Sequence, residues 1–482
     1  MKISDHFALG KSQYELDFVD IDPDKDTALF VDPYFLAQRT DSLSVSATRT
    51  LRSFFDTFLN LVRQNLREEA REHFSYLGEP NETCLGLSHG KPHGRGIGKV
   101  QADRLFSSLV NSKAIQTGLV EHIEDCRLFI RGFDKDMLSD LTTNVIRGHL
   151  IEYTQAQCKI WGIPLEKNVP SGWVWRRDRS IWDSYHTEML VIDSRPILLV
   201  PKGLVSYSTS YTADRYHRHF ILNYLRNEHL RINSALVQRA KRKDGTERVW
   251  INKKDIEKEE APKDKEFLTV FTQKHTDVFR KFKEESSQGL SSLGNSDLTD
   301  RKLHEIVSFI LDELRNIPPG SANAGSYHRL IVGILELIFY PTLTYPQVEQ
   351  EINDGRKRID IVFDNAAKAG FFSRLQHAHK IPCAYIFVEC KNYTRDVANP
   401  ELDQMIARFS PNRGKFGLVV CRGIEDMDLL LARCRDAHIA QQGTILPLVD
   451  ADLISMLEAL VEDDIETIDE LLSNRIRSVV LG

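Results

Sequence analysis

Two short apolar segments of the chain carry charged side chains at positions where a buried strand would have apolar ones. The first is RIDIVF, residues 358–363, and the second is YIFVECK, residues 385–391. Because successive side chains of a strand point to opposite faces, Glu389 and Lys391 share one face. Asp360 and Glu389 lie among apolar neighbours, where a carboxylate is unstable unless a cation or hydrogen bonds compensate it. Two carboxylates and a lysine that converge at one sheet edge are suited to a divalent cation.

Segments with regular hydrophobic spacing surround these two strands. Apolar residues recur at helical intervals in some segments, and apolar runs bounded by turn residues predict strands in others. The predicted order is helix 302–315, helix 326–340, strands 347–352, 357–363 and 384–390, helix 400–409, strand 416–421, helix 426–440 and strand 444–449. This alternation predicts an α/β domain in the C-terminal part of the chain.

The charged strands and the element order together resemble the PD-(D/E)XK superfamily, which has the restriction-endonuclease-like fold. In that family a helix with a glutamate precedes a strand meander with the aspartate, a strand with Glu-x-Lys, a helix and a further strand. The resemblance covers roughly residues 320 to 450 and implies a mixed sheet flanked by helices. It assigns the catalytic positions to Asp360, Glu389, Lys391, Glu336 and Gln404.

The resemblance also implies a metal-dependent chemistry. Asp360, Glu389 and the backbone carbonyl of Cys390 would hold Mg²⁺, with Mn²⁺ as an alternative, because this hard ion prefers oxygen ligands and retains several waters. Lys391 would orient the attacking water or offset charge in the transition state. Glu336 would bind the ion through water or through a second metal. Gln404 would position Lys391 or the nucleophile.

Two features depart from the family pattern. Ile359 precedes Asp360 where many members have proline, and the interval from Asp360 to Glu389 is longer than a tight hairpin needs. An insertion at 364–382 would account for the longer interval. Glu-x-Lys alone is common as a solvated pair, so the predicted site depends on the two interrupted strands and on the element order.

The chain of 482 residues exceeds what one hydrophobic core usually organises, which predicts two or three domains. Residues 1–235 are predicted to form an N-terminal α/β or α+β domain for recognition or regulation. Residues 236–300 would contain a basic hairpin and a linker with Ser and Gly. Residues 301–482 would form the nuclease-like domain.

The overall composition is typical of a globular protein in aqueous solution. Hydrophobic residues make up 41% of the chain, and the net charge of −6 argues against nonspecific coating of nucleic acid, although a local basic groove remains compatible with it. We find no apolar signal core and no apolar stretch long enough to span a bilayer, so no membrane partner is expected. The seven cysteines form no CxxC pair, which favours reduced thiols in a cytoplasmic protein.

Residues 211–254 form a basic segment that also contains aromatic residues. An Asp244-Gly245 pair predicts a hairpin at its centre. Five basic side chains are candidates for binding nucleic-acid phosphates: Arg239, Lys241, Arg242, Lys243 and Arg248. The aromatic side chains of the segment would either stack on bases or face the core, and the sequence leaves these two alternatives open.

The sequence therefore predicts a Mg²⁺-dependent endonuclease that cleaves DNA, with a role in defence against foreign or phage DNA suggested by analogy. A dimer is expected because cutting both strands of a duplex needs two sites or two events, and a regulatory partner protein is a further expectation. Two alternatives remain: a catalytically idle nucleic-acid-binding or scaffold module, or a nuclease acting on RNA or structured DNA.

Overall fold

The computed structural model describes residues 1–86, 99–206, 210–242, 246–288, 292–352 and 357–481. Its N-terminal part is mainly helical. The helices are α1 (Ile3–His6), α2 (Pro33–Ala37), α3 (Ser42–Arg63), α4 (Arg67–Phe74), α5 (Lys99–Val110), α6 (Lys113–Gln116), α7 (Cys126–Phe129), α8 (Lys135–Val145), α9 (Arg147–Trp161), α10 (Ala213–Arg215), α11 (Leu222–Ile232), α12 (Lys253–Glu259), α13 (Lys265–Lys274), α14 (Thr276–Gln288) and α15 (Asn295–Leu298).

Small antiparallel sheets lie between these helices. Their strands are β1 (Phe30–Val31), β2 (Glu166–Pro170), β3 (Val174–Arg176), β4 (Ile181–Asp183), β5 (His186–Ile192), β6 (Arg195–Ile197), β7 (Val205–Ser206), β8 (Gln238–Lys241) and β9 (Glu247–Trp250). Strand β1 pairs with β7, β5 lies between β2 and β6, and β3–β4 and β8–β9 are two-stranded. The predicted hairpin around 244–245 is confirmed as β8–β9, although residues 243–245 of its turn lie outside the described residues.

The C-terminal part is built around one five-stranded sheet. Its elements are α16 (Leu303–Asn316), α17 (Ala324–Phe339), β10 (Leu343–Ile352), β11 (Lys357–Asn365), α18 (Gly370–His377), β12 (Tyr385–Lys391), α19 (Asn399–Ile406), β13 (Phe416–Cys421), α20 (Met427–Ile439), β14 (Thr444–Val449), α21 (Asp450–Val461) and α22 (Ile465–Val480). The strand order is β10-β11-β12-β13-β14, with the first three antiparallel and the last three parallel. The prediction of an α/β architecture with a mixed sheet in this region is confirmed.

The two faces of the sheet pack against different layers. Ile386, Val388 and Cys390 of β12 belong to the main core, which also contains Leu330 and Ile334 of α17. The opposite face of the neighbouring β13 carries Val419, which packs with Leu402 and Met405 of α19. Because side chains alternate along a strand, Phe387, Glu389 and Lys391 point to the face that α19 covers.

Three helices of this region were absent from the prediction. The interval 364–382 contains α18, whose Phe371, Phe372 and Leu375 are buried. After the last predicted strand come α21 and α22, and α22 buries one helical stripe made of Ile468, Leu472, Ile476 and Val479. The density of acidic residues between 450 and 470 obscured this periodicity, although several of these acids, such as Glu458, Glu466 and Glu470, lie on the exposed sides of the same helices.

A buried ion pair joins the N-terminal part to the sheet domain. Lys202 Nζ lies 3.1 Å from Glu336 Oε1 of α17, and both side chains are fully buried. The same ammonium donates to Asn295 Oδ1 at 2.8 Å and lies 4.1 Å from the centre of the Tyr340 ring. Burial raises the pKa of Glu336 to about 8, and the positive charge of Lys202 opposes this shift. One contiguous hydrophobic core surrounds the pair, so the two parts of the chain pack as a unit.

Asp17 extends this buried network. Its carboxylate accepts a hydrogen bond from the Tyr153 hydroxyl at 2.7 Å and one from the backbone N–H of Tyr345 at 3.3 Å. Burial raises the pKa of Asp17, and Lys202 partly offsets the effect. Lys202 is therefore a shared counter-charge for two buried carboxylates, one on each side of the interface.

All seven cysteines are buried, and none forms a disulfide. This finding agrees with the reduced thiols that the sequence predicts. Within the described ranges, no helix is long and apolar enough to cross a membrane.

Replacing Lys202 with methionine is expected to lower the free energy of unfolding by about 3–5 kcal/mol, because two buried carboxylates lose their cation. The folded variant would keep protons on Glu336 and Asp17 that the unfolded chain releases. Its stability should therefore fall as pH rises above the ordinary glutamate pKa of 4.5, and the fall should continue past the value of about 8 that Glu336 has beside Lys202, because the variant lacks the cation that lowers this pKa. Urea unfolding measured across this pH range tests the prediction.

Lys167→Met is the matched control, because the Lys167 side chain is 83% exposed. It should change stability by less than about 0.5 kcal/mol at every pH. If the two variants are equally stable, Lys202 does not hold the two parts of the chain together.

Candidate functional site

The candidate site forms where β11 and β12 stop pairing. Their ladder runs from Asp364 opposite Tyr385 to Ile361 opposite Val388, and it ends one residue before Asp360 and Glu389. Beyond this point the Asp360 side chain replaces the missing backbone partner, since its Oδ2 accepts from the Cys390 backbone N–H at 3.2 Å. The divergence of two strands therefore brings Asp360 next to the Glu-x-Lys segment, as the sequence predicts.

Glu389 is the most buried charge of the site. Its side chain is 0% exposed, and its Oε2 lies 3.1 Å from Lys391 Nζ. Lys391 Nζ also lies 4.0 Å from Asp360 Oδ2, and the Asp360 side chain is 23% exposed. One lysine thus lies between two carboxylates, and solvent reaches the cluster from the side of Asp360.

Arg408 is a second cation in the cluster, and the sequence reasoning did not identify it. Its guanidinium forms an ion pair with Glu389 Oε1, and its side chain is 5% exposed. Burial lowers the pKa of Arg408, whereas the nearby charge of Asp360 acts in the opposite direction. The cluster therefore contains two carboxylates and two cations, and its formal charges cancel.

Close packing of α19 on the sheet brings Arg408 over Glu389. Arg408 follows α19 by two residues, and its backbone N–H donates to the Met405 carbonyl at 2.9 Å. Met405 in turn packs directly on Gly417 of β13, where an added Cβ would lie 2.4 Å from the Met405 sulfur. Glycine at 417 favours this close approach, because a larger side chain would have to displace the end of the Met405 side chain and would lie 3.2 Å from the Phe387 carbonyl oxygen.

His328 is a second residue that the sequence reasoning missed. It lies in the second turn of α17, and its Nε2 is 3.1 Å from the Cys390 carbonyl oxygen. That carbonyl is the backbone group predicted to bind the metal. A carbonyl oxygen has two lone pairs, so the contact with His328 leaves one for another partner.

Glu336 does not join this cluster. It follows His328 by eight residues on α17, which places it about 12 Å further along the helix axis. Its carboxylate pairs with Lys202 in the buried interface described above, with no exposed surface. The structure thus places Glu336 in the interface between the two parts of the chain, away from Asp360 and Glu389. A helical glutamate within an apolar run has the same sequence pattern in either role.

Gln404 also lies apart from the charged cluster. It is on α19, where its side chain is exposed, whereas Leu402 and Met405 of the same helix are buried. The residue that α19 directs to the carboxylates is Arg408, one turn later. A charged residue within the apolar run Met405-Ile406-Ala407-Arg408-Phe409 was the sequence signal for this position.

The predicted metal ligands agree in type with a small divalent cation. Asp360 and Glu389 supply carboxylate oxygens at one point, and the Cys390 carbonyl is adjacent. Among the residues that the structure describes, no group of three or more His, Cys, Asp and Glu side chains is placed to hold a metal ion. The predicted ligand set, two carboxylates and one carbonyl, therefore stays a prediction. This set suits Mg²⁺, which keeps several of its waters.

The predicted phosphate-binding residues lie on an exposed hairpin. The side chains of Arg239, Lys241, Arg242 and Arg248 on β8–β9 are exposed, and Lys243 lies outside the described residues. Arg239 contacts Asn233 Oδ1 at 2.6 Å and Glu247 at 3.5 Å. Arg248 lies 5.2 Å from the centre of the Trp250 ring. The hairpin therefore presents a cluster of solvated cations.

The aromatic side chains of the basic segment mostly face the core. Tyr211, Tyr216 and Phe220 are buried, and all three rings pack near Phe282 of α14. Tyr224 and Trp250 are partly exposed. The sequence left open whether these aromatic side chains stack on bases or face the core. The three buried rings face the core and are therefore not available to stack on bases.

A family model matches the N-terminal part of the chain. Residues 8–212 match the model of a domain of unknown function, DUF8370. No curated protein and no solved structure matches the chain. The matched region includes Lys202 but ends well before the charged cluster of the sheet. The family likeness is thus confined to the part of the chain that packs against the C-terminal domain.

Proposed function

We propose that the chain is a Mg²⁺-dependent nuclease whose C-terminal domain cleaves phosphodiester bonds. The observation that carries the proposal is the divergence of β11 and β12, which brings Asp360, Glu389 and Lys391 together at the carboxyl end of the central strand of the sheet. Placing a fully buried carboxylate, Glu389, beside a second, partly exposed one is costly, and proteins retain such clusters mainly where the charges have a function. The strand order of the five-stranded sheet supports the resemblance to the PD-(D/E)XK fold.

The side chains of the cluster have separate roles in this reaction. Asp360, Glu389 and the carbonyl of Cys390 would hold the cation, which when bound would supply polarisation of the phosphate and a lowered pKa of a water. Lys391 lies between the two carboxylates and offsets negative charge that develops on the phosphate. The hydrogen bond from the Cys390 N–H fixes Asp360 at the open side of the cluster. Substrate would approach from that side, where Asp360 is exposed.

We further propose DNA as the substrate, with the exposed hairpin β8–β9 as a site that binds the phosphate backbone. The net charge of −6 makes general attraction to nucleic acid weak, so a local basic surface would be needed. Four described cations on the hairpin supply such a surface. A role in defence against foreign DNA rests on analogy with other two-part nucleases of this kind.

Lys391→Ala is expected to lower cleavage by about 100-fold or more, because the variant loses the cation that stabilises the transition state. Cleavage of linear, supercoiled and single-stranded DNA and of RNA by the purified full chain, with Mg²⁺ or with EDTA, measures the effect and identifies the substrate. Cleavage by wild type should require Mg²⁺.

Lys302→Ala is the matched control, since Lys302 is exposed just before α16 and lies outside the charged cluster. It should cleave like wild type. Activity that persists in EDTA, or an unchanged rate in Lys391→Ala, would contradict the proposed mechanism.

Changing Lys241, Arg242 and Arg248 to glutamine is expected to weaken DNA binding. The slope of log K against log salt should also decrease by about 0.9 for each phosphate that the hairpin no longer neutralises. Fluorescence anisotropy with labelled duplex at several salt concentrations measures both effects. The Lys391→Ala background prevents cleavage during the measurement.

The control for this variant removes the same number of charges elsewhere. Lys113, Lys167 and Lys281 are 66%, 83% and 71% exposed and lie on other surfaces. Glutamine at these three positions should leave the salt slope close to that of the parent. If both triple variants change binding equally, the hairpin has no special role.

A further inference from the structure

Arg408 has no role in the function proposed above, although it contacts the central carboxylate of the site. Its side chain is almost completely buried, and its guanidinium faces Glu389 Oε1. The other oxygen, Oε2, faces Lys391 at 3.1 Å. Both oxygens of Glu389 are therefore occupied by cations that belong to the chain itself.

This arrangement restricts how a metal ion can reach Glu389. The Glu389 side chain has no exposed surface and each of its oxygens faces a cation, so a divalent cation can reach this carboxylate only if one of the two partners makes room. Lys391 is two residues from Glu389 on the same strand and is held between Asp360 and Glu389. Arg408 approaches from beyond the end of α19, on a long side chain that can change rotamer without moving β12. Arg408 is thus the partner that can leave.

The released guanidinium would remain near the carboxylates, since Arg408 lies two residues beyond the end of α19 and its side chain already reaches Glu389. Solvent reaches the cluster from the side of Asp360, where a phosphodiester would enter. A guanidinium is well suited to that ligand because its planar N–H groups can form two parallel hydrogen bonds with phosphate oxygens.

We propose that Arg408 is the counter-ion of Glu389 in the metal-free protein, that a divalent cation and Arg408 compete for Glu389, and that the displaced guanidinium then binds the substrate phosphate. The competition between Arg408 and the cation for Glu389 does not depend on nuclease activity. Binding of the displaced guanidinium to a substrate phosphate, in contrast, rests on the proposed nuclease function. Arg408 therefore acts as a positioning residue before the cation binds, and it contacts substrate afterwards.

Mn²⁺ binding to the purified full chain without nucleic acid tests the competition, with electron paramagnetic resonance reporting free Mn²⁺. Arg408→Met removes the competing cation and should bind Mn²⁺ at least tenfold more tightly than wild type. Arg408→Lys keeps the charge and should stay within about threefold of wild type, since a point charge can still pair with a carboxylate. Arg433→Met is the control, because Arg433 donates to the Val397 carbonyl in the same domain. Its affinity should be that of wild type.

Thermal unfolding provides a second measurement that needs no nucleic acid. In EDTA, Arg408→Met leaves Glu389 with Lys391 alone and should unfold at a lower temperature than wild type. Mn²⁺ should raise the unfolding temperature of the variant more than that of wild type. If Arg408→Met does not fold, Arg408→Gln provides the same comparison with a polar side chain of similar reach.

The outcomes separate the two proposals. Wild type that binds Mn²⁺, with equal or weaker binding by Arg408→Met, overturns the competition and leaves the nuclease proposal intact. Absence of Mn²⁺ binding in both proteins overturns the competition and also contradicts the proposed metal dependence. Tighter Mn²⁺ binding together with at least a 100-fold loss of DNA cleavage at saturating Mn²⁺ supports both steps. Tighter binding with unchanged cleavage overturns the phosphate-binding step.

Discussion

A single fully buried carboxylate, Glu389, determines how the C-terminal domain is arranged. A charge in the middle of an apolar strand must be compensated, and two cations do this from opposite directions, Lys391 from the same strand and Arg408 from the end of α19. The helix can reach this position because Gly417 allows Met405 to lie directly on the sheet. The strands diverge at the same point, and Asp360 replaces the missing backbone partner of Cys390. The packing of α19, the divergence of β11 and β12 and the balance of charges therefore all involve Glu389.

Buried carboxylates also need a counter-charge at the interface with the N-terminal part, but there the ion pair is closed to solvent. Glu336 and Asp17 are also buried carboxylates, and they share Lys202 within a closed core. Neither Lys202 nor Glu336 has exposed surface, so this ion pair is closed off within the interface between the two parts of the chain. Asp360, in contrast, gives the cluster around Glu389 an open side. Access to solvent is what distinguishes a structural ion pair from a candidate site, and this property depends on the tertiary fold.

Much of the C-terminal fold could be predicted from sequence because its elements have regular periodicity. Strands 416–421 and 444–449 were predicted with their observed bounds, and the segment carrying Glu389 and Lys391 was placed on a strand. The positions of Glu336 and Arg408 could not be predicted from sequence patterns. Glu336 and Arg408 are each a charged residue within an apolar run of the sequence. Only the packing of α17 and α19 decides that Arg408 faces Glu389 and that Glu336 does not. The N-terminal part has short strands in separate small sheets, so its periodicity indicates little about which segments pair.

The central claim is that Asp360 and Glu389 together bind a divalent cation, and Mn²⁺ titration of Asp360→Asn measures this most directly. Asparagine can still accept the hydrogen bond from Cys390, so the variant should fold, but it removes one charged ligand. Asp364→Asn is the comparison, because Asp364 lies on the same strand and accepts a hydrogen bond from the Ser42 backbone. Wild type and Asp364→Asn are expected to bind one Mn²⁺ with similar affinity, whereas Asp360→Asn should bind at least tenfold more weakly. Equal binding by Asp360→Asn and wild type would contradict a shared metal site at Asp360 and Glu389.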